Sequence, residues 1–168
     1  MKNVYLIGMM GSGKTTTGCA LAKLLSIPFV DLDDQIIQKA GRSINEIFKT
    51  KGECYFRDLE TEALKNVSGS SNQVVATGGG IVMNPENQAR LKTTGLVIYL
   101  KTSMDVLWER VKDKKDRPLL ATSNPKQTFS ELFRFRGPLY TESSSKIFLT
   151  DCKTPEAVAQ EIYKACFQ

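Results

Sequence analysis

The sequence predicts an α/β fold in which five short strands form a parallel sheet between helical layers. Three observations predict it. Short apolar runs alternate with helical patterns along the whole chain. The stretch Gly8-Met9-Met10-Gly11-Ser12-Gly13-Lys14-Thr15 fits G-x-x-x-x-G-K-[ST] without gap or substitution, and it stands between the first apolar run and the first helix. Carboxylates and glycines follow the second and third apolar runs, at strand ends where open α/β sheets gather ligands.

Val4 to Ile7 is long enough for one buried strand. The glycines after it let backbone N–H groups turn inward around phosphate oxygens, and the next helix adds the partial positive charge of its N-terminus. Gly11, Ser12, Gly13 and Thr16 would belong to that cradle, Lys14 would reach the outer phosphates, and Thr15 would offer a hydroxyl to Mg²⁺. Leu21, Leu24 and Leu25 carry the helix to a break at Ser26-Ile27-Pro28. Phe29-Val30 opens a second strand that runs into Asp31-Leu32-Asp33-Asp34. Asp31 and Asp33 suit one pocket, acting on Mg²⁺ through water and on an acceptor hydroxyl; capping of a helix over Gln35–Ala40 by Asp33 or Asp34 is the plainer use of such residues.

Gly41 ends that helix, and Ser43-Ile44-Asn45-Glu46 has the form of a capping box for the next. Gly52 punctuates, and Glu53 to Val67 continues as helix with Arg57 and Glu60 three apart on one face. Such a pair is either an arginine braced for an anion or an ordinary surface ion pair. Val74-Val75-Ala76 is a third strand. Thr77-Gly78-Gly79-Gly80 after it suits a close approach to a ligand or a sharp turn. Asn84-Pro85 starts a helix that Gly95 ends, Leu96 to Leu100 is a fourth strand, and Thr102 to Asp105 opens a helix bearing Trp108 and Arg110. Lys112 to Pro125 is polar, charged and flanked by breakers; it fits a solvated loop, and beside a phosphate loop it fits a lid that brings Arg117 onto phosphates. Phe129 to Phe135 reads as helix, with Arg134 and Arg136 ahead of an expected break at Gly137-Pro138. Ile147 to Leu149 is the fifth strand, and Thr154-Pro155-Glu156 caps a last helix with Val158, Ile162 and Cys166 on one face.

The 168 residues suit a single domain. No apolar run approaches the length of a membrane span. Met1-Lys2-Asn3 leads straight into the first strand with no room for a leader, so a cytoplasmic location and no membrane partner are expected. Cys19, Cys54, Cys152 and Cys166 form no C-x-x-C pair and read as reduced thiols. The chain has no histidine, so any general base is a carboxylate, lysine, tyrosine or water. The net charge of +5 carries no run of like charge and no aromatic–basic interleaving, which argues for small anionic ligands rather than nucleic acid.

Taken in order, the blocks Gly8–Thr15, Asp31-Leu32-Asp33, Phe56-Arg57-x-x-Glu60, Thr77-Gly78-Gly79-Gly80, Arg117-Pro118-Leu119-Leu120 and Arg136-x-Pro138-Leu139-Tyr140 resemble the signature of the shikimate kinases over essentially the whole chain. The resemblance implies a three-layer α/β/α P-loop kinase fold like that of the nucleoside monophosphate kinases, with strand order 2-3-1-4-5. It implies ATP-dependent phosphorylation of the 3-hydroxyl of shikimate, in the route to chorismate. Asp33 would bind ring hydroxyls and orient one of them, with Arg57, Gly78, Gly79, Gly80 and Arg136 completing the acceptor site in a helical region over about residues 33–60. Asp31 would hold Mg²⁺ through water beside Thr15. Arg117 would be the lid arginine on a lid of about residues 112–125, and Arg110 would pack on adenine. A monomer suffices for such a fold. One rival is a gluconate or nucleotide kinase of the same fold, neither of which predicts Asp33, Arg57, the three glycines and Arg136 together; the other is a non-catalytic nucleotide-responsive module, which loss of Lys14, Asp33 or a substrate arginine would signal, and here all are intact.

Overall fold

Both faces of the sheet are covered, and the strand sequences record it. In the computed structural model, which describes residues 1–168, β1 (Asn3–Ile7) is buried along its whole length. Tyr5 and Ile7 point to one side, with Val75, Val97 and Tyr99 of the neighbouring strands; Val4 and Leu6 point to the other, with Val74, Ile98 and Leu100. A strand buried on both faces reads as a continuous apolar run rather than an alternating one. Each such aliphatic side chain removed from water contributes on the order of 2 kcal/mol.

The strands are β1, β2 (Phe29–Asp31), β3 (Val74–Ala76), β4 (Gly95–Lys101) and β5 (Lys146–Leu149). They form one parallel sheet in the order β2-β3-β1-β4-β5, with Tyr5 opposite Val75 on one side and Val97 on the other. The helices α1 (Lys14–Leu25) and α7 (Pro155–Phe167) bury Leu21, Ala22, Val158, Ala159 and Ile162 against one face. The opposite face is covered by α2 (Leu32–Ala40), α3 (Ile44–Ser68), α4 (Pro85–Thr94), α5 (Met104–Val111) and α6 (Pro125–Ser143). No helix is long and apolar enough to cross a membrane. The four cysteines are free thiols.

Three boundaries differ from those read in the sequence. The helix after β2 starts at Leu32, not Gln35, and its cap is Asp31, whose carboxylate accepts the Asp33 backbone N–H at 3.0 Å. Asp33 and Asp34 therefore lie inside the first turn, and neither caps it. The last segment before β5 does not break at Gly137-Pro138: α6 runs unbroken through Pro138. Proline removes one N–H and frees the carbonyl four residues back. Here Pro138 and Arg134 both face solvent, so water can serve that carbonyl while Arg136 and Tyr140 stay buried on the inner side. The same helix takes up Pro125, which shortens the irregular segment after α5, and within that segment Pro118–Leu120 forms a 3₁₀ turn with Leu120 sunk in the core. The capping box at Ser43 and Glu46 forms as read, and Gly52, at φ 84° and ψ 173°, interrupts α3.

Candidate active site

The C-terminal ends of β1, β2 and β3 converge on the phosphate loop. Gly13 closes that loop in the left-handed region, at φ 86°, and serves as the residue before α1. The first N–H groups of a helix have no intrahelical partner and face whatever lies beyond its end. The Lys14 ammonium folds back over the loop and donates to the carbonyls of Gly8 at 2.9 Å and Met9 at 3.0 Å. Burial lowers its pKa to about 8, with the Asp33 and Asp31 carboxylates working against that shift and Arg117 and Arg136 adding to it. Thr15 donates its hydroxyl to Asp31 at 2.6 Å, so the Asp31 carboxylate is fixed at one oxygen by Thr15 and at the other by the helix cap. Arg110 reaches across from α5 and donates to the Gly11 carbonyl at 2.9 Å.

These groups line a cleft of about 570 Å³ that takes in Gly11 to Thr16, Asp31, Asp33, Arg110 and Arg117. Against it lies a smaller cavity of about 70 Å³, lined among others by Arg57, Glu60, Gly78, Gly80 and Arg136. Met10, Asp33, Gly79 and Arg117 belong to both walls. Every site residue read in the sequence thus faces one of the two spaces, and Asp33 and Arg117 stand at their junction.

The smaller cavity is strongly charged for its size. Arg136 is only 1% exposed and has no carboxylate partner within ion-pair distance; its Nε has no hydrogen-bond partner. A guanidinium in that state calls for an anion. Arg57 is braced by Glu60 at 2.5 Å and Glu53 at 2.9 Å, which holds its fork toward the cavity; the pair is no mere surface contact, since Glu60 is 1% exposed. The second carboxylate oxygen of Glu60 and one oxygen of Asp33 are buried without partners. Burial, then the charges of Glu60 and Asp31, push the Asp33 carboxyl up to about 6 despite Lys14 and Arg117.

The three glycines after β3 make room for side chains. A Cβ on Gly78 would collide with the Glu60 carboxylate and crowd Asp33, and one on Gly80 would collide with the Arg57 guanidinium. Gly79 is held by Tyr140, whose buried hydroxyl donates to its carbonyl. Gly80→Ala is therefore expected to displace Arg57 from the cavity. Loss of one charge-assisted hydrogen bond, about 1.5–3 kcal/mol, would raise the acceptor KM about tenfold or more. Initial-rate kinetics should show the nucleotide KM unchanged.

Sequence reasoning gave no ligand-facing role to the apolar wall of the small cavity, Ile44, Phe48, Phe56 and Leu119, nor to Tyr140 that of anchoring the turn. It also missed Thr150, Pro155 and Val158 along the far side of the cleft. Ile44 and Phe48 stand four apart on one helix face, but the face they offer to a ligand is the one a core would also use.

A parallel 2-3-1-4-5 sheet, a phosphate loop at the end of its central strand and a second anion-seeking cavity beside it define a P-loop kinase with a small-molecule acceptor. The family model for shikimate kinase matches residues 10–167, and the chain belongs to the shikimate kinase family. It is 45% identical over 164 residues to a shikimate kinase of Thermodesulfovibrio yellowstonii, covering 98% of this chain and 94% of that protein. It is 43% identical to a shikimate kinase of Caldanaerobacter subterraneus over 98% of this chain and 96% of the relative. Among solved structures, a shikimate kinase from Acinetobacter baumannii in complex with shikimate superposes with a TM-score of 0.95 at 39% identity, over 98% of this chain and 92% of that one. A deoxyadenosine kinase from M. mycoides shares the fold alone, at 15% identity and a TM-score of 0.62 over the full length of both chains.

Proposed function

We propose that this chain transfers the γ-phosphoryl group of ATP to the 3-hydroxyl of shikimate, giving shikimate 3-phosphate and ADP on the route to chorismate and the aromatic amino acids. The observation that carries the proposal is the meeting of the two cavities at Asp33 and Arg117. Phosphoryl transfer needs donor and acceptor oxygens in line, with negative charge neutralised around the moving group. The larger cleft has the cradle for the triphosphate in Gly11, Ser12, Gly13, Lys14, Thr15 and Thr16, with Arg110 placed beside it for the base. The smaller cavity suits a compact carboxylate triol. Arg136 and Arg57 clamp the carboxylate, Gly79 and its neighbours approach the ring, and Asp33 accepts from the reacting hydroxyl.

Thr15 and Asp31 offer hard oxygen donors side by side, and no cluster of three or more carboxylate or thiol ligands exists to hold a metal independently. That donor set fits Mg²⁺ brought in with the nucleotide and retaining waters, with Asp31 acting through one of them. When bound, Mg²⁺ supplies charge neutralisation at the phosphates. The chain's own residues do the rest: Lys14 and Arg117 hold the phosphate oxygens, Asp33 orients the hydroxyl and takes its proton, and the segment 112–125 closes as a lid over both. All residues of the two cavities come from one chain, so a monomer of one domain suffices, with small-molecule partners only and a place in the cytoplasm.

The direct test is ADP release from Mg-ATP with shikimate, gluconate, AMP or no acceptor. Release that depends on shikimate alone supports the proposal. Release with another acceptor, or with none, overturns it. The pH profile adds a second check. Asp33 must be ionised and Lys14 protonated, so kcat/KM should rise with pH through about 6 and fall again through about 8.

A further inference from the structure

Two parts of the chain that flank the small cavity are tied together by a contact that lies outside it. Asn45, exposed in the first turn of α3, donates its side-chain amide to the backbone carbonyl of Lys115 at 3.2 Å. Its neighbour Ile44 points inward and lines the acceptor cavity with Phe48, opposite Pro118 and Leu119. The residues on either side of Lys115 face the two cavities. Asp116 and Arg117 reach the acceptor cavity, and Lys114 on the other side of Lys115 reaches the nucleotide cleft. One hydrogen bond therefore sits at the point where a strip facing both cavities crosses the arm that walls one of them.

That arm has the form of a hinged element. It spans Arg42 to Lys51 between Gly41, at φ 63°, and Gly52, at φ 84°. A Cβ at either glycine would meet nothing within 4 Å, so backbone conformation and not space demands glycine there. Positions that take unusual φ values at both ends of a short helical arm are where a hinge absorbs its rotation. Among the contacts between arm and strip, the Asn45 bond is the polar one, and it needs the strip's backbone rather than any particular side chain at residue 115.

We infer that Asn45 is a positioning residue: its amide clasps the 112–117 strip to the hinged arm, so that arm and lid close as one unit and binding in either cavity favours binding in the other. This deepens the assignment of ATP and shikimate to the two cavities and rests on it. The clasp would seat Arg117 at the junction without touching either substrate. A ligand that favours the closed arm then favours the closed lid, which is what coupling between two sites requires.

The experiment uses the full chain with Asn45→Ala, Asn45→Leu and Asn45→Gln. Limited trypsin cleavage at Lys112, Lys114 and Lys115 reports lid opening without any ligand. Titration of shikimate with and without Mg-ADP reports coupling, and fluorescence of Trp108, the single tryptophan, which borders the strip, follows nucleotide binding. Loss of one exposed neutral hydrogen bond should speed strip cleavage about three- to tenfold in the Ala and Leu variants and shrink the coupling ratio by a similar factor, with Gln restoring part of both. Thermal stability should not move, since Asn45 is exposed. A cleavage rate or a coupling ratio equal to wild type in both the Ala and Leu variants overturns the clasp. Failure of wild type to bind shikimate overturns the substrate assignment instead, and the cleavage rates still decide the clasp.

Discussion

Asp33→Asn is expected to lower kcat about 10²- to 10⁴-fold, the range for loss of a positioned base, and at the same time to raise the melting temperature. The second effect follows from the site's electrostatics. The folded carboxyl titrates at about 6, above its ordinary range, because burial and the charges of Glu60 and Asp31 outweigh the attraction of Lys14 and Arg117. Between about pH 4 and 6 the folded protein therefore binds more protons than the unfolded chain, and stability falls as pH rises through that window. At pH 7 the ionised Asp33 is held at a cost on the order of 3 kcal/mol, which asparagine removes. For a domain of this size that corresponds to a rise of roughly 6–12 °C. Calorimetry at pH 5 and pH 7 checks it: the gap between variant and wild type should widen at the higher pH. A variant that keeps near-full turnover, or melts below wild type at pH 7, would remove Asp33 from the role given to it.

That tension also explains what could be read in the amino-acid string and what could not. The phosphate loop is contiguous, so its strand, turn and helix were legible together, and both buried faces of the sheet show as continuous apolar runs in β1, β3 and β4. The acceptor cavity is assembled from α2, α3, the turn after β3, the 3₁₀ turn at Pro118–Leu120 and α6. Its members were found in the sequence because the order of motifs matched a family, not because spacing brings Asp33 to Arg136. Arg57 and Glu60 were legible as neighbours on a helix, but the burial that turns an ion pair into an oriented fork depends on Gly78 and Gly80, whose missing Cβ atoms leave space for those side chains. Helix boundaries failed where local rules compete with tertiary context. Pro138 reads as a breaker, yet its position on the solvent face lets α6 pass through it, and Asp31 rather than Asp33 caps α2 because the strand ends one residue later than the apolar run.

Arg117→Ala carries the other large expectation. Its guanidinium is part of both cavity walls, and its charge acts on Asp33 and on Lys14. A cation that meets the transferring group only on closure contributes mostly in the transition state, so kcat at saturating shikimate should fall about 10³-fold while the nucleotide KM rises far less. A drop in rate alone would also follow from a misplaced lid, and the pH profile separates the two. Arg117 lowers the pKa of Asp33 and of Lys14, so its removal should shift both limbs of the profile upward, the rising limb above 6 and the falling limb above 8. Limbs that stay where they are would mean that the guanidinium's charge does not reach Asp33 and Lys14 in the working enzyme, and that the lost rate comes from a misplaced lid. Residual kcat within a few-fold of wild type would mean that Lys14 and Mg²⁺ alone neutralise the moving phosphoryl group. Arg117 would then serve the acceptor cavity by shape, next to Pro118 and Leu119, and not by charge.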